Sequence, residues 1–211
     1  MPDSINRSSF LKWLVDPVQP TSDVAKRAYR FVGDRRAWLV PMALGIALLT
    51  ISLLGLWESP DDFFFAYLVG WSFLLTTALG GLFFLVFNHL TRANWSVVVN
   101  RINEALVWAF PLLFVLGLPL LFGMHDLYHW THAGLYDPSS PQYDEILAGK
   151  RAYLNTPFWS IRMVVYFAVW TVISYRLYTL SLRQDVDADP EIPAALRSTS
   201  AWGLPLLAGT T

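Results

Sequence analysis

Long apolar segments constrain this chain more than any other feature of its sequence. A helix rises about 1.5 Å per residue, so about 20 apolar residues cross the roughly 30 Å hydrocarbon core of a bilayer. Four segments reach this length, and they are Ala37–Trp57, Phe63–Leu90, Ala105–Met124 and Phe158–Leu182. The sequence therefore predicts an all-α fold, a polytopic transmembrane helical bundle with four complete spans.

The composition agrees with a lipid environment and restricts the chemistry of the chain. Charged residues make up 15% of the sequence, against about 25% in ordinary soluble domains. The net charge of −1 gives no basic surface of the kind that nucleic-acid binding requires. The chain has no cysteine, which excludes disulfides, iron–sulfur clusters, thiolate zinc sites and covalently attached haem within it. We therefore expect no cofactor to be bound by this chain alone, and any redox centre to belong to a ligand or a partner.

Basic residues are concentrated before the first span. The connection from Glu58 to Asp62 has three acids and no basic residue. The segment 1–36 instead has seven basic residues, which are Arg7, Lys12, Lys26, Arg27, Arg30, Arg35 and Arg36. The positive-inside rule then places the amino terminus in the cytoplasm and the long connection 125–157 outside. No apolar core with a small-residue cleavage site, as in a signal peptide, occurs in the first 36 residues.

The leader 1–36 is predicted to be a cytoplasmic amphipathic segment before the bundle of residues 37–182. Ser22 or Asp23 can cap a short helix there, with apolar residues on one face and basic residues beside it. Such a helix either tethers the chain to anionic lipid or docks another subunit.

An acidic cytoplasmic linker, residues 183–200, is predicted after the fourth span. Its alternating acids resemble the start of a calcium loop, but Pro190 occupies the place of the required glycine. A solvated linker is therefore our interpretation. Residues 201–211 are apolar but too few to cross a bilayer. We expect them to start a truncated fifth helix, with the chain as the amino-terminal part of a longer protein.

Three histidines after the third span are candidate functional residues. His125, His129 and His132 are spaced i, i+4 and i+7, which places their rings on one side of a continuous helix. This arrangement suits a proton or quinone-headgroup role, or a metal, and equally an interfacial helix in the headgroup belt with Tyr128. Asp126 adjoins the cluster but points about 100° away from His125.

The second span carries a second set of polar residues. Ser72, Thr76 and Gly80 repeat every four residues, a stripe suited to close packing against a neighbouring helix. Alternatively, its hydroxyls with Asn88 and His89 form part of a hydrogen-bonded path for protons from the cytoplasmic side. Because His89 and the three outer histidines end up on opposite sides, no pair within this chain fits a bis-histidine haem.

Four stretches carry a resemblance to a known family. They read YLVGWSFLLTTALGGLFF (67–84), NHLTRANWSVVVNRINE (88–104), LPLLFGMHDLYHWTH (118–132) and RAYLNTPFW (151–159). In this order and spacing they resemble the F subunit of bacterial alternative complex III, a quinol:cytochrome c (or quinol:electron-carrier) oxidoreductase. None of the four is a catalytic motif, and the likeness extends over residues 37–211.

The resemblance implies a relation to NrfD-like membrane subunits, which are built around two four-helix bundles in the bacterial inner membrane. It implies partner subunits that carry haem and iron–sulfur clusters, and contact with quinone or quinol. A role in quinone contact or proton movement is carried over to His125, Asp126 and His129, and also to Asn88 and His89.

Three functions are therefore considered for the chain. The first is a membrane subunit of a respiratory quinol oxidoreductase that supports quinol oxidation and proton translocation without its own redox centre. The second is an ion or solute transporter, although the sequence places no ionisable residue near the middle of a span. The third is a structural membrane anchor for peripheral redox subunits.

Overall fold

The computed structural model describes residues 36, 38–93, 96–185, 189 and 191–211. Apart from Arg36, the predicted leader lies outside these residues. Within them the chain forms eight α-helices: α1 (Leu39–Glu58), α2 (Pro60–Thr91), α3 (Val97–Val107), α4 (Phe110–Gly117), α5 (Met124–Leu127), α6 (Glu145–Gly149), α7 (Thr156–Gln184) and α8 (Glu191–Thr210). Three 3-10 helices lie at Leu118–Leu121, His129–Thr131 and Ala133–Tyr136.

The predicted all-α transmembrane bundle is confirmed. Four helical segments are long and apolar enough to cross a membrane, and they are Leu39–Trp57, Pro60–Thr91, Val99–Leu121 and Thr156–Gln184. Each overlaps one of the apolar segments predicted from the sequence. The chain is a multi-pass membrane protein.

The third span is not one continuous helix. It consists of α3, α4 and the 3-10 turn Leu118–Leu121, with a break at Trp108 and Ala109. Pro111 explains the break, because proline has no N–H to donate and its ring clashes with the carbonyl four residues earlier, that of Val107. The span also begins at Val99 rather than at Ala105, because the polar side chains of α3 find partners inside the bundle.

The last helix begins earlier than expected. α8 starts at Glu191, within the predicted linker, and continues past Ala201 to Thr210. It packs against α7 and α2, where a Cβ on Gly203 would lie 3.3 Å from Ile173. Among the acids of this segment, Asp189 and Glu191 are exposed as expected, whereas Asp185 is bound by Arg101. Asp187 and Pro190 lie outside the described residues.

The core of the bundle lies between α2, α4, α7 and α8. Its largest fully buried side chains come from these helices and the end of α3: Leu82, Leu85, Val86, Val107, Phe110, Ile173 and Leu177. The apolar window of α1, in contrast, has no buried residue. α1 joins α2 through a tight turn at Ser59, whose N–H donates to the carbonyl of Gly55.

Candidate functional site

Polar side chains meet inside the bundle where α2 ends and α3 begins. The chain leaves α2 at Arg92, which has the left-handed dihedral angles φ 54° and ψ 42°, and α3 then runs back along α2. This reversal places Asn88 opposite Asn100, and the amide nitrogen of Asn88 donates to the side-chain oxygen of Asn100 at 3.1 Å. Asn88 is only 4% exposed, so this bond satisfies a polar group that water does not reach.

Glu104 lies one helical turn further along α3 and is 3% exposed. One carboxylate oxygen accepts from the Arg101 guanidinium at 2.7 Å, and the other accepts from the hydroxyl of Ser181 in α7 at 2.6 Å. Arg101 also donates to Asp185 at the end of α7. A buried carboxylate needs a counter-charge and hydrogen-bond donors, and Glu104 has both. We call Asn88, Asn100, Arg101, Glu104, Ser181 and Asp185 the buried polar cluster.

A cavity of about 380 Å³ adjoins the buried polar cluster at the end of the bundle. Its polar lining consists of Asn88, His89, Arg92, Asn100, Gln184 and Arg197. The Nε2 atom of His89 is buried and has no hydrogen-bond partner among the described residues. His89 and Asn88 were predicted from the sequence as a polar end of the second span, and the structure brings both to this cavity.

Glu104 and its partners were not predicted as functional residues. The signal was the spacing of Asn100, Glu104 and Val107, which places two polar residues and one apolar residue on the same face of a helix. That face becomes interior because α3 packs against α2 and α7. A hydropathy criterion excludes the charged turn around Glu104 from the third span, so the sequence analysis began that span at Ala105.

At the opposite end of the bundle, the three outer histidines lie together, but not on one helix. α5 ends at Leu127, Tyr128 is extended with φ −124° and ψ 110°, and a 3-10 turn begins at His129. The expectation of a continuous helix through all three histidines is therefore wrong. The turn nevertheless places the rings of His125 and His132 4.2 Å apart, and those of His129 and His132 5.4 Å apart.

We call His125, His129 and His132 the histidine cluster. His132 Nδ1 lies 2.9 Å from the carbonyl oxygen of His129, which fixes one ring. His125 and His129 are exposed, and so is Asp126. In the part of the chain that the structure describes, no three histidine or acidic side chains are arranged to hold a metal ion.

An aromatic pocket of about 290 Å³ lies between α2, α7 and α8 near the histidine cluster. Its aromatic walls include Trp71, Trp159, Tyr166 and Trp170. Arg162 also lines it, and the Nε atom of Arg162 is buried without a hydrogen-bond partner among the described residues. The ring of Trp159 lies 6.3 Å from that of Tyr128, so the pocket and the histidine cluster are neighbours. The sequence analysis did not predict this pocket.

The stripe of Ser72, Thr76 and Gly80 does not pack against a described helix. The hydroxyl of Thr76 donates to the carbonyl of Ser72 in the same helix, at 2.9 Å. A Cβ on Gly80 would have no atom within 4 Å. The proton-path alternative for these hydroxyls is not supported by any link from them to Asn88.

No family model matches this chain, and no curated protein matches it. The resemblance to the F subunit of alternative complex III therefore stays a prediction.

Proposed function

We propose that this chain is an integral membrane subunit of a respiratory quinol:cytochrome c (or quinol:electron-carrier) oxidoreductase in the bacterial inner membrane. It supports quinol oxidation and conducts protons, while haem and iron–sulfur clusters reside on partner subunits. Its amino terminus lies in the cytoplasm, so the buried polar cluster lies at the cytoplasmic end and the histidine cluster at the outer end.

The observation that carries the proposal is the buried carboxylate of Glu104. Ionisable residues inside spanning helices are costly and usually serve proton or ion movement. Glu104 lies five residues after Val99, about 7.5 Å along the helix from the start of its span. The cavity reaches the same helix, since Asn100 lies one turn before Glu104, lines the cavity and contacts Asn88.

The other end of the molecule supports the quinol part of the proposal. Ligand pockets are mostly apolar with a few polar groups, and the aromatic pocket combines indole rings with Arg162. The exposed imidazoles of His125 and His129 are surface groups of the type that accepts protons in catalysis, and here they would take those that quinol releases on oxidation. Oxidation of one quinol releases two protons and two electrons, and the electrons pass to the partner subunits.

The test uses Glu104→Gln in the complete complex purified from membranes and placed in proteoliposomes. Glutamine keeps the shape and a hydrogen-bond acceptor but cannot ionise. We expect the rate of proton uptake from the cytoplasmic side to fall by roughly a hundredfold, the lower end of what a lost proton-transfer group costs. The matched control is Glu145→Gln, because Glu145 is exposed at the start of α6.

Two results contradict this proposal. The first is wild-type proton movement in a normally assembled Glu104→Gln complex, which rejects the proton role. The second is purification of the chain without cytochrome and iron–sulfur subunits, which rejects the respiratory complex and favours a transporter.

A membrane anchor for peripheral redox subunits is the second candidate. The outward-facing stripe of Ser72, Thr76 and Gly80 favours it, because small and polar residues on a lipid-facing surface are typical of helix–helix contacts. An anchor role predicts that a large side chain in this stripe, as in Gly80→Leu, prevents assembly of the complex. It also predicts that Glu104→Gln leaves proton movement unchanged.

A further inference from the structure

We propose that the cavity at the end of α2 binds the phosphate of an anionic phospholipid. The proposal concerns the cavity of about 380 Å³ between the ends of α2 and α7 and the starts of α3 and α8. Its volume falls within the range of roughly 300–1,000 Å³ that is typical of small-molecule pockets. This proposal of lipid binding is independent of the proposed respiratory function.

The charges in the cavity lining are positive. Arg92 and Arg197 both line it, and neither forms an ion pair with a described carboxylate. Arg101, close by, is already engaged by Glu104 and Asp185. Two guanidinium groups in a partly enclosed cavity are stabilised by an anion, and guanidinium binds phosphate through paired N–H donors.

Two neutral groups in the lining can also donate hydrogen bonds to an anion. Asn100 uses its side-chain oxygen to accept from Asn88, which leaves its NH2 group free to donate. The buried Nε2 of His89 has no partner among the described residues. Phosphate oxygens accept hydrogen bonds and carry no donor when ionised, so a phosphate satisfies both groups.

The level of the cavity favours a lipid over a soluble phosphate. Arg92 follows the last residue of the span Pro60–Thr91, and Gln184 is the last residue of the span Thr156–Gln184. The cavity therefore lies where helices leave the hydrocarbon core, which is the level of the lipid headgroups. Leu196, which is 2% exposed, adds an apolar wall on which the glycerol and acyl part can rest. Basic pockets between spanning helices are known to take such headgroups.

The experiment compares the wild-type chain with Arg92→Gln/Arg197→Gln in detergent. Binding of phosphatidylglycerol is titrated in mixed micelles through the rise in unfolding temperature, and lipid retained after purification is counted by native mass spectrometry. We expect the affinity of the double variant to fall roughly thirtyfold, which corresponds to about 1 kcal/mol for each guanidinium. Arg92→Lys/Arg197→Lys should keep most of the binding, because the charge remains.

The controls distinguish an effect of the two cavity arginines from loss of another basic residue, a lipid from a soluble phosphate, and lost binding from lost folding. Arg36→Gln removes a basic residue before α1, at the same end of the bundle, and should bind like wild type. Helical circular dichroism of each variant without added lipid checks its fold. Three outcomes overturn the proposal: unchanged affinity in the double glutamine variant, equal binding of phosphatidylcholine, and equal protection by inorganic phosphate at the same concentration. The last outcome assigns the cavity to a soluble phosphate.

Discussion

Single residues at the two ends of this bundle handle protons and charge in different ways. Both carboxylate oxygens of Glu104 are hydrogen-bonded inside the protein, so its position is fixed and its charge is balanced locally. His125 and His129 are exposed, so their rings are open to the solvent side. Under the proposed function, the inner group serves controlled proton transfer and the outer groups serve proton release.

We expect His125→Ala/His129→Ala to lower quinol turnover or proton release without loss of assembly. The physical reason is that both imidazoles are proton-accepting groups that lie on the surface, where their removal leaves no cavity. The measurement is quinol oxidation and proton release by the purified complex. Lys150→Ala, in the same outer connection, is the control. Unchanged activity in the histidine variant would show that the histidine cluster serves only packing at the membrane interface.

Tyr128, between the histidine cluster and the aromatic pocket, gives a pH-dependent prediction. Burial raises the pKa of its phenol above the ordinary value near 10. The unfolded chain therefore loses this proton at a lower pH than the folded chain does. The contribution of Tyr128 to stability is complete below pH 10 and is lost as the pH rises through the folded pKa.

Tyr128→Phe should accordingly show a smaller loss of stability than wild type as the pH rises above about 10. The measurement is the unfolding midpoint as a function of pH. Tyr143→Phe is the control, because Tyr143 is 40% exposed. Identical pH profiles for wild type and Tyr128→Phe would be evidence against this shift.

At the scale of helices, one close contact fixes the start of α5 against α2. Gly123 precedes α5 and packs on the ring of Phe64, and a Cβ at this position would overlap that ring. Its dihedral angles, φ −91° and ψ 9°, are open to alanine, so the obstacle is steric and not conformational.

We expect Gly123→Ala to destabilise the bundle by about 1–3 kcal/mol, the usual cost of overpacking. Gly149→Ala, where a Cβ meets no atom within 4 Å, should leave the unfolding temperature close to wild type. Thermal unfolding in detergent measures both. If the two variants unfold together, Phe64 moves aside without cost and the contact does not position α5.

The helices themselves could be predicted from the sequence, but their interruptions and partners could not. Hydropathy identifies a span because a backbone in lipid must satisfy its own hydrogen bonds, which an apolar helix does. It does not report that Pro111 divides the third span, or that α8 begins at Glu191. It also omits the turn that contains Glu104, one of whose hydrogen-bond partners, Ser181, is 77 residues away in the sequence.

At the scale of the whole molecule, a dry core separates the two polar ends. Phe110, Ile173 and Leu177 are almost completely buried in the middle of the bundle. The sequence predicted that the three outer histidines lie together, and they do, although the backbone turns between them. It did not predict the aromatic pocket, because Trp71 and Trp159 belong to different spans and meet only through packing.

The direction of proton movement depends on the orientation of the bundle, which a cysteine-labelling experiment tests. Since the chain has no cysteine, each introduced thiol reports one position without background. Ser140→Cys, in the connection 125–157, should react with a membrane-impermeant maleimide in intact spheroplasts. Gln184→Cys, at the end of α7, should react only after the membrane is opened, because the positive-inside rule predicts that this end faces the cytoplasm. The reverse pattern of labelling would place Glu104 at the outer surface and reverse the proposed direction of proton movement.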